Sequence, residues 1–153
     1  MPVYYYASWL SCKATDVDVL SMIKGYDAIK ERIIEIDEKG RSATNKDLGS
    51  RESLQLCLEA TARGIKFLNV DLYKSEAITY VAANETDIIP PFSSIDGLGD
   101  TVAHNIVEER SKSPFISIEE FQNRCKVSQT LIDKMRLMGI FGDMPETSQL
   151  SLF

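Results

Sequence analysis

Residues Phe92 to Val107 read Phe-Ser-Ser-Ile-Asp-Gly-Leu-Gly-Asp-Thr-Val-Ala-His-Asn-Ile-Val, and the Gly97-Leu98-Gly99 triplet at their centre decides how the rest of the chain is read. Glycine accepts positive φ and close backbone approach, so two glycines around one apolar residue suit a tight turn between two helices. Leu98 is then expected to point inward, with the flanking amides facing out. Asp100 or Thr101 is the expected N-cap of the second helix, whose apolar residues Val102, Ala103, Ile106 and Val107 recur at the spacing of one buried face. Such a turn presents a helix N-terminus and a run of unpaired N–H groups, which together attract an anion the size of a phosphate. A nucleotide P-loop is excluded because neither Lys-Ser nor Lys-Thr follows the glycines. A dinucleotide fingerprint is excluded because no third glycine arrives at the required spacing.

Composition limits what this site can do alone. Acidic side chains outnumber basic ones by 23 to 17 over 153 residues, whereas a free-standing, tight nucleic-acid binder shows a basic face. Any backbone contact is therefore expected to be weak and to assist something larger. Cys12, Cys57 and Cys125 are scattered without a Cys-x-x-Cys pair, which fits reduced thiols. No apolar run reaches membrane-spanning length and no signal segment is readable, so the expectation is a soluble, intracellular protein with no membrane partner.

Outward from the turn, the pattern predicts an α+β, mainly helical chain with a few short strands. Tyr4, Tyr5, Tyr6 and Trp9 mark an N-terminal helix whose rings are expected to pack in a core. So apolar a beginning reads as the middle of a larger structure. Thr15-Asp16-Val17-Asp18 is expected to open a second helix, its carboxylates serving the helix start rather than a metal ion. Val17, Leu20 and Ile23 run to a break at Gly25, and Ile29, Ile33 and Ile36 predict a helix ending at Gly40. Arg41 to Ser50 reads as a loop. Leu54, Leu58 and Thr61 predict a helix closed by Gly64; Ile65 to Val70 and Ile78 to Val81 predict strands, with a turn back at Ala82–Glu85 toward Ile88-Ile89. Pro90-Pro91 excludes helix and is expected to part residues 1–89 from a second unit, 90–142.

In that second unit, Ser117–Cys125 and Ser128–Met138 predict two further helices around Lys126-Val127, the first opened by the box-like Ser117-Ile118-Glu119-Glu120. Lys112, Arg124, Lys126, Lys134 and Arg136 are the cations available beside a phosphate track, with Lys112 and Lys126 the chosen candidates. From Asp143 the composition turns polar, and 143–153 is expected to be a flexible tail. It ends in Gln149-Leu150-Ser151-Leu152-Phe153, where three large apolar side chains point to a partner's pocket.

These features resemble known families. Ile95, Gly97-Leu98-Gly99 and the small Ala103 resemble the helix-hairpin-helix motif of DNA-binding proteins, and residues 117–138 resemble a degenerate second copy without the glycines. The Gln149–Phe153 pentapeptide resembles the one by which bacterial replication proteins dock on the ring-shaped sliding clamp. Tyr5-Tyr6-Ala7-Ser8, Met22-Ile23-Lys24-Gly25, Asn69 to Ser75 and Ile89-Pro90-Pro91-Phe92 extend the likeness to the C-terminal region of the PolC-type DNA polymerase III alpha subunit.

The resemblance implies that residues 1–89 end the polymerase fingers, 90–142 form a tandem helix-hairpin-helix domain on duplex DNA, and 143–153 bind the clamp. The implied backbone-binding residues are Gly97, Leu98, Gly99, Asp100, Thr101, Lys112 and Lys126; the implied clamp-binding residues are Gln149, Leu150, Ser151, Leu152 and Phe153. Partners would be duplex DNA, the bacterial sliding clamp (beta subunit) and the remainder of the polymerase and replisome, in the bacterial cytoplasm. The family's palm carboxylates, which hold two metal ions, lie upstream of the matching stretch, and Asp16 and Asp18 do not match them. His104 alone cannot supply its His-rich metal sites. No catalytic or metal-binding residue is therefore expected in this segment and no cofactor, with Mg²⁺ expected for the full polymerase. The rival reading is a stand-alone helix-hairpin-helix adaptor that recruits the clamp to DNA; an independent enzyme ranks third, lacking a nucleophile–base or metal constellation.

Overall fold

The computed structural model describes residues 1–147. Helix α1 spans Pro2–Lys13 and buries Val3, Tyr6, Ala7 and Leu10, the i, i+3, i+4, i+7 stripe of a one-faced helix. Of its aromatic cluster only Tyr6 is fully enclosed, and its hydroxyl donates to Glu59 at 3.1 Å. Tyr4 and Tyr5 are about 60% exposed, contrary to the expected core packing, because they fall between the positions of that stripe.

Helices α2 (Val19–Lys24) and α3 (Tyr26–Lys39) meet at Gly25, whose φ of +104° suits glycine. The start of α2 is Asp18 rather than Thr15. Its carboxylate accepts from the Ser21 amide at 3.2 Å, the Ser21 hydroxyl at 2.9 Å and Arg32 Nε at 3.2 Å. Ile29, Ile33 and Ile36 form the buried face of α3.

Helix α4, Asn45–Ala62, begins inside the stretch expected to be a loop. Thr44 and Asp47 form a reciprocal capping box: the Thr44 hydroxyl accepts from the Asp47 amide at 3.0 Å, and the Asp47 carboxylate accepts from the Thr44 amide at 3.0 Å. That box stabilises a helical first turn which the polar composition of Arg41–Ser50 does not advertise.

A three-stranded sheet follows, from β1 (Lys66–Phe67), β2 (Val81–Ala82) and β3 (Asp87–Ile89) in the order β1-β3-β2. Strand β1 runs parallel to β3 with Phe67 opposite Ile88, and β2 runs antiparallel to it with Ala82 opposite Ile88. The Asn84 carboxamide accepts from the Thr86 and Asp87 amides, each at 2.9 Å, and holds the expected turn. The strands are shorter than the apolar runs that announce them. Val70, Leu72 and Ala77 instead leave the sheet to pack elsewhere.

A 3₁₀ turn at Phe92–Ser94 leads into α5 (Asp100–Lys112), α6 (Ile118–Cys125) and α7 (Gln129–Leu137). One core joins α1 to α4 and the sheet, through Tyr6, Leu10, Met22, Ile33, Leu54 and Phe67. The other gathers Phe92, Ile95, Leu98, Ile106, Phe121 and Ile132, and also takes Val19, Val70, Leu72 and Ala77 from before Pro90. Arg110 fastens that crossing segment: its guanidinium donates to the carbonyls of Leu72 at 3.2 Å and Ser75 at 2.5 Å and lies 5.8 Å from the Phe92 ring centre. Burial pushes the thiols of Cys57 and Cys125 up to about 12, and all three cysteines are free.

Residues 143–146 depart from the expected flexible tail. The carbonyls of Pro145 and Glu146 accept from the Ile118 and Glu119 amides at 2.9 and 3.0 Å, which caps the start of α6 with backbone, and Glu146 pairs with Arg136 at 2.8 Å.

The Asp47 carboxyl is held below the usual carboxylate range, first by the Thr44 amide and then by Lys39. A depressed folded-state value means its contribution is present above the unfolded pKa and is lost as pH falls through the lowered one. Asp47→Ala is expected to lower the melting midpoint at neutral pH by roughly 2–4 °C. Circular dichroism melts across an acid series should also show a shallower acid-side decline for the variant than for the parent chain.

Candidate nucleic-acid interface

The turn at Gly97 is closed by the Leu98 amide, which donates to the Ile95 carbonyl at 3.0 Å. Gly97 sits at φ +87°, at the third position of a β-turn, where type II geometry calls for glycine. Leu98 is then carried into the core, 4% exposed beside Ile95 and Ala103. Its amide serves the turn, so it does not join the outward donors as expected.

The helix begins one residue earlier than the sequence suggests. Gly99 (φ −76°, ψ 167°) is the N-cap, and its carbonyl accepts from the Ala103 amide at 3.0 Å. Having no side chain, Gly99 caps nothing. The amides of Asp100 and Thr101, at the positive end of the α5 dipole, have no acceptor among the described residues.

The second hairpin places similar residue environments in the same order with different chemistry. Lys126 takes the left-handed conformation (φ 58°, ψ 49°), Val127 is 5% exposed, and Ser128 is the N-cap at φ −68°, ψ 156°. As at Gly97-Leu98-Gly99, a positive-φ residue, a buried apolar residue and an extended N-cap follow one another, but here the turn closes from the Val127 amide to the Gln122 carbonyl at 3.1 Å. Here, however, the Ser128 hydroxyl accepts from the Leu131 amide at 3.3 Å. A side chain already occupies the place that an anion would take at the first hairpin.

Of the five flanking cations considered, Lys134 is brought to the first hairpin. Its ammonium donates to the Asp96 carbonyl at 3.0 Å and lies 3.6 Å from where a Cβ on Gly97 would stand. Lys46 joins it from α4, 2.9 Å from the Asp96 carboxylate. The sequence reading missed Lys46 because it lay in an expected loop, although the Thr44-x-x-Asp47 box would have placed it in the first turn of a helix.

Lys112 is at the far end of α5, roughly 17 Å along the axis from Thr101, and pairs with Glu109 at 2.6 Å. Lys126 is exposed on the second hairpin. Arg124 is committed to structure: it pairs with Glu109 at 3.3 Å and Glu120 at 2.9 Å and stacks 4.5 Å from the Phe115 ring centre. Arg136 pairs with Asp133 and Glu146.

Residues 96–100 line a cleft of about 1080 Å³ together with Asp16, Asp18, Lys24, Arg32 and Lys46. The Asp96 carboxyl is held below its ordinary range, chiefly by its hydrogen bond to Lys46. The Asp18 carboxylate is shared between Ser21 and Arg32. Among the described residues, no group of three His, Cys, Asp or Glu side chains converges to hold a metal ion, and no helix is long and apolar enough to cross a membrane. Gln149, Leu150, Ser151, Leu152 and Phe153 lie outside the described residues.

A family model described as the helix-hairpin-helix motif matches residues 64–150, and the chain belongs to that family. Over 99% of its length it is also similar to proteins named DNA polymerase III PolC-type. It is 44% identical over 154 residues to the protein of Streptococcus sanguinis (strain SK36). It is 43% identical over 152 residues to that of Lactococcus lactis subsp. lactis (strain IL1403) and 41% over 152 to that of Caldanaerobacter subterraneus subsp. tengcongensis. The chain spans only 10%, 9% and 11% of these relatives, respectively.

The two glycines are predicted to respond oppositely to substitution. Gly97→Val forces a β-branched residue to positive φ and should cost about 1–3 kcal/mol in urea unfolding. Gly99→Asp, at an ordinary extended φ with open space around its Cβ, should be neutral or stabilise by a few tenths of a kcal/mol, since aspartate is an N-cap.

Proposed function

We propose that this chain is the C-terminal segment of a PolC-type replicative DNA-directed DNA polymerase, where it holds duplex DNA by its backbone and tethers the enzyme to the sliding clamp. The observation that carries the reading is the uncapped N-terminus of α5 behind a glycine turn, in a chain more than 40% identical to PolC-type polymerases along nearly its whole length. Backbone amides read no bases, which suits a replicase that must accept every product sequence. With a net charge of −6, the contact is weak alone.

The clamp contact rests on Gln149-Leu150-Ser151-Leu152-Phe153. Burying each large apolar side chain supplies roughly 1.5–3 kcal/mol before the cost of ordering the peptide, which limits the tail alone to about micromolar affinity. Two weak contacts joined by a short leash gain effective concentration, so the polymerase stays on its template while neither contact blocks sliding. Nucleotidyl transfer, with its Mg²⁺, belongs in this reading to the remainder of the polymerase.

Fluorescence anisotropy with a short mixed-sequence duplex tests the DNA contact. Gly99→Asp places a carboxylate over the amides that a phosphate would use, and should weaken binding roughly tenfold while the melting temperature holds or rises. Unchanged affinity would refute the backbone reading. Deleting Gln149 to Phe153 should abolish capture by purified sliding clamp with the circular dichroism spectrum retained, and persistent capture would remove the tail from the mechanism.

A further inference from the structure

In the lining of the cleft, two ammonium groups from distant parts of the chain meet on one exposed aspartate. Lys46 reaches Asp96 Oδ1 at 2.9 Å from the first turn of α4. Lys134 reaches the Asp96 carbonyl at 3.0 Å and Oδ2 at 3.8 Å from α7. All three side chains are at least two-fifths exposed, and the Lys134 ammonium sits over Gly97 in the turn that precedes α5. Glu109 also meets cations from two helices, but it is largely shielded, whereas Asp96 is open to solvent and the carboxylate between its two lysines is accessible to exchange.

We propose that Asp96 is the resident stand-in for a DNA phosphate and that Lys46 is a duplex-contacting residue: on binding, Lys46 and Lys134 exchange the Asp96 carboxylate for the sugar–phosphate backbone. This rests on the backbone reading above and extends the contact from the hairpin across the cleft to α4, outside the paired hairpins. An exposed ion pair is weak and readily exchanged. A phosphodiester, by contrast, brings the additional gain of counterion release from DNA. Asp96 therefore sets a threshold, so that the lysines engage a polyanion rather than stray small anions, and its removal frees them.

The test is anisotropy of a short mixed-sequence duplex over a KCl series, using the whole chain. Lys46→Ala should weaken binding roughly three- to fivefold and reduce the salt slope by about one, and Lys46→Arg should keep both. Asp96→Asn should tighten binding roughly two- to fivefold. If Asp96 acts by sequestering Lys46, that gain shrinks in the Lys46→Ala background; a carboxylate that merely repels DNA gives the same gain in both. The inference is overturned if Lys46→Ala leaves affinity and slope unchanged, or if the Asp96→Asn gain is undiminished without Lys46. Gly99→Asp separates the two levels. If it weakens binding while Lys46→Ala is silent, only this inference fails; if it too is silent, the backbone reading fails with it.

Discussion

The hydrogen bond from the Leu98 amide to the Ile95 carbonyl is the constraint on which the second half of the chain turns. It reverses the backbone within four residues and needs a glycine at φ +87° to do so. The turn makes Leu98 a core residue and places the next residue as a helix N-cap. Burying Leu98 fixes the hairpin's height relative to α7, and therefore which amides remain at the surface. Without this turn α5 would still be amphipathic, but its start would have no defined place against Asp96, Lys134 and α4.

The two hairpins show how one order of residue environments serves two ends. Lys126, like Gly97, stands at positive φ, and Ser128 repeats the extended N-cap conformation of Gly99. A lysine held in the left-handed region bears a strain of roughly 1 kcal/mol that glycine avoids. Ser128 offsets part of it by capping its own helix. The first hairpin gains no such cap, and its unsatisfied donors are the feature a packed core does not explain. A sequence that forgoes a stabilising cap at a surface turn leaves that turn free to take its acceptor from elsewhere.

Much of this was legible in the chain itself. The helical stripes of α3, α5 and α7, the breaks at Gly25 and Gly40, the turn before β3 and the inward Leu98 all follow from spacing and from what glycine permits. The start of α4 was not legible because a helix can begin in polar residues when a side-chain box, not an apolar face, sets its first turn. Tyr4 and Tyr5 misled because aromatic content says nothing about which side of a helix each ring occupies. The candidate interface was half visible. The glycine turn announces itself, whereas the meeting of Lys46 with Asp96 depends on how two separate segments pack, and no local pattern records that. Lys112 stands at the other end of α5 from the glycine turn, because a helix carries residues away along its axis as fast as it counts them.

The capping of α6 by the Pro145 and Glu146 carbonyls sets the length of a leash. Chain that is pinned at residue 146 reaches Gln149 within three residues, at most about 11 Å even when fully drawn out. Whatever that residue touches is thereby kept within the same short distance of the backbone that caps α6.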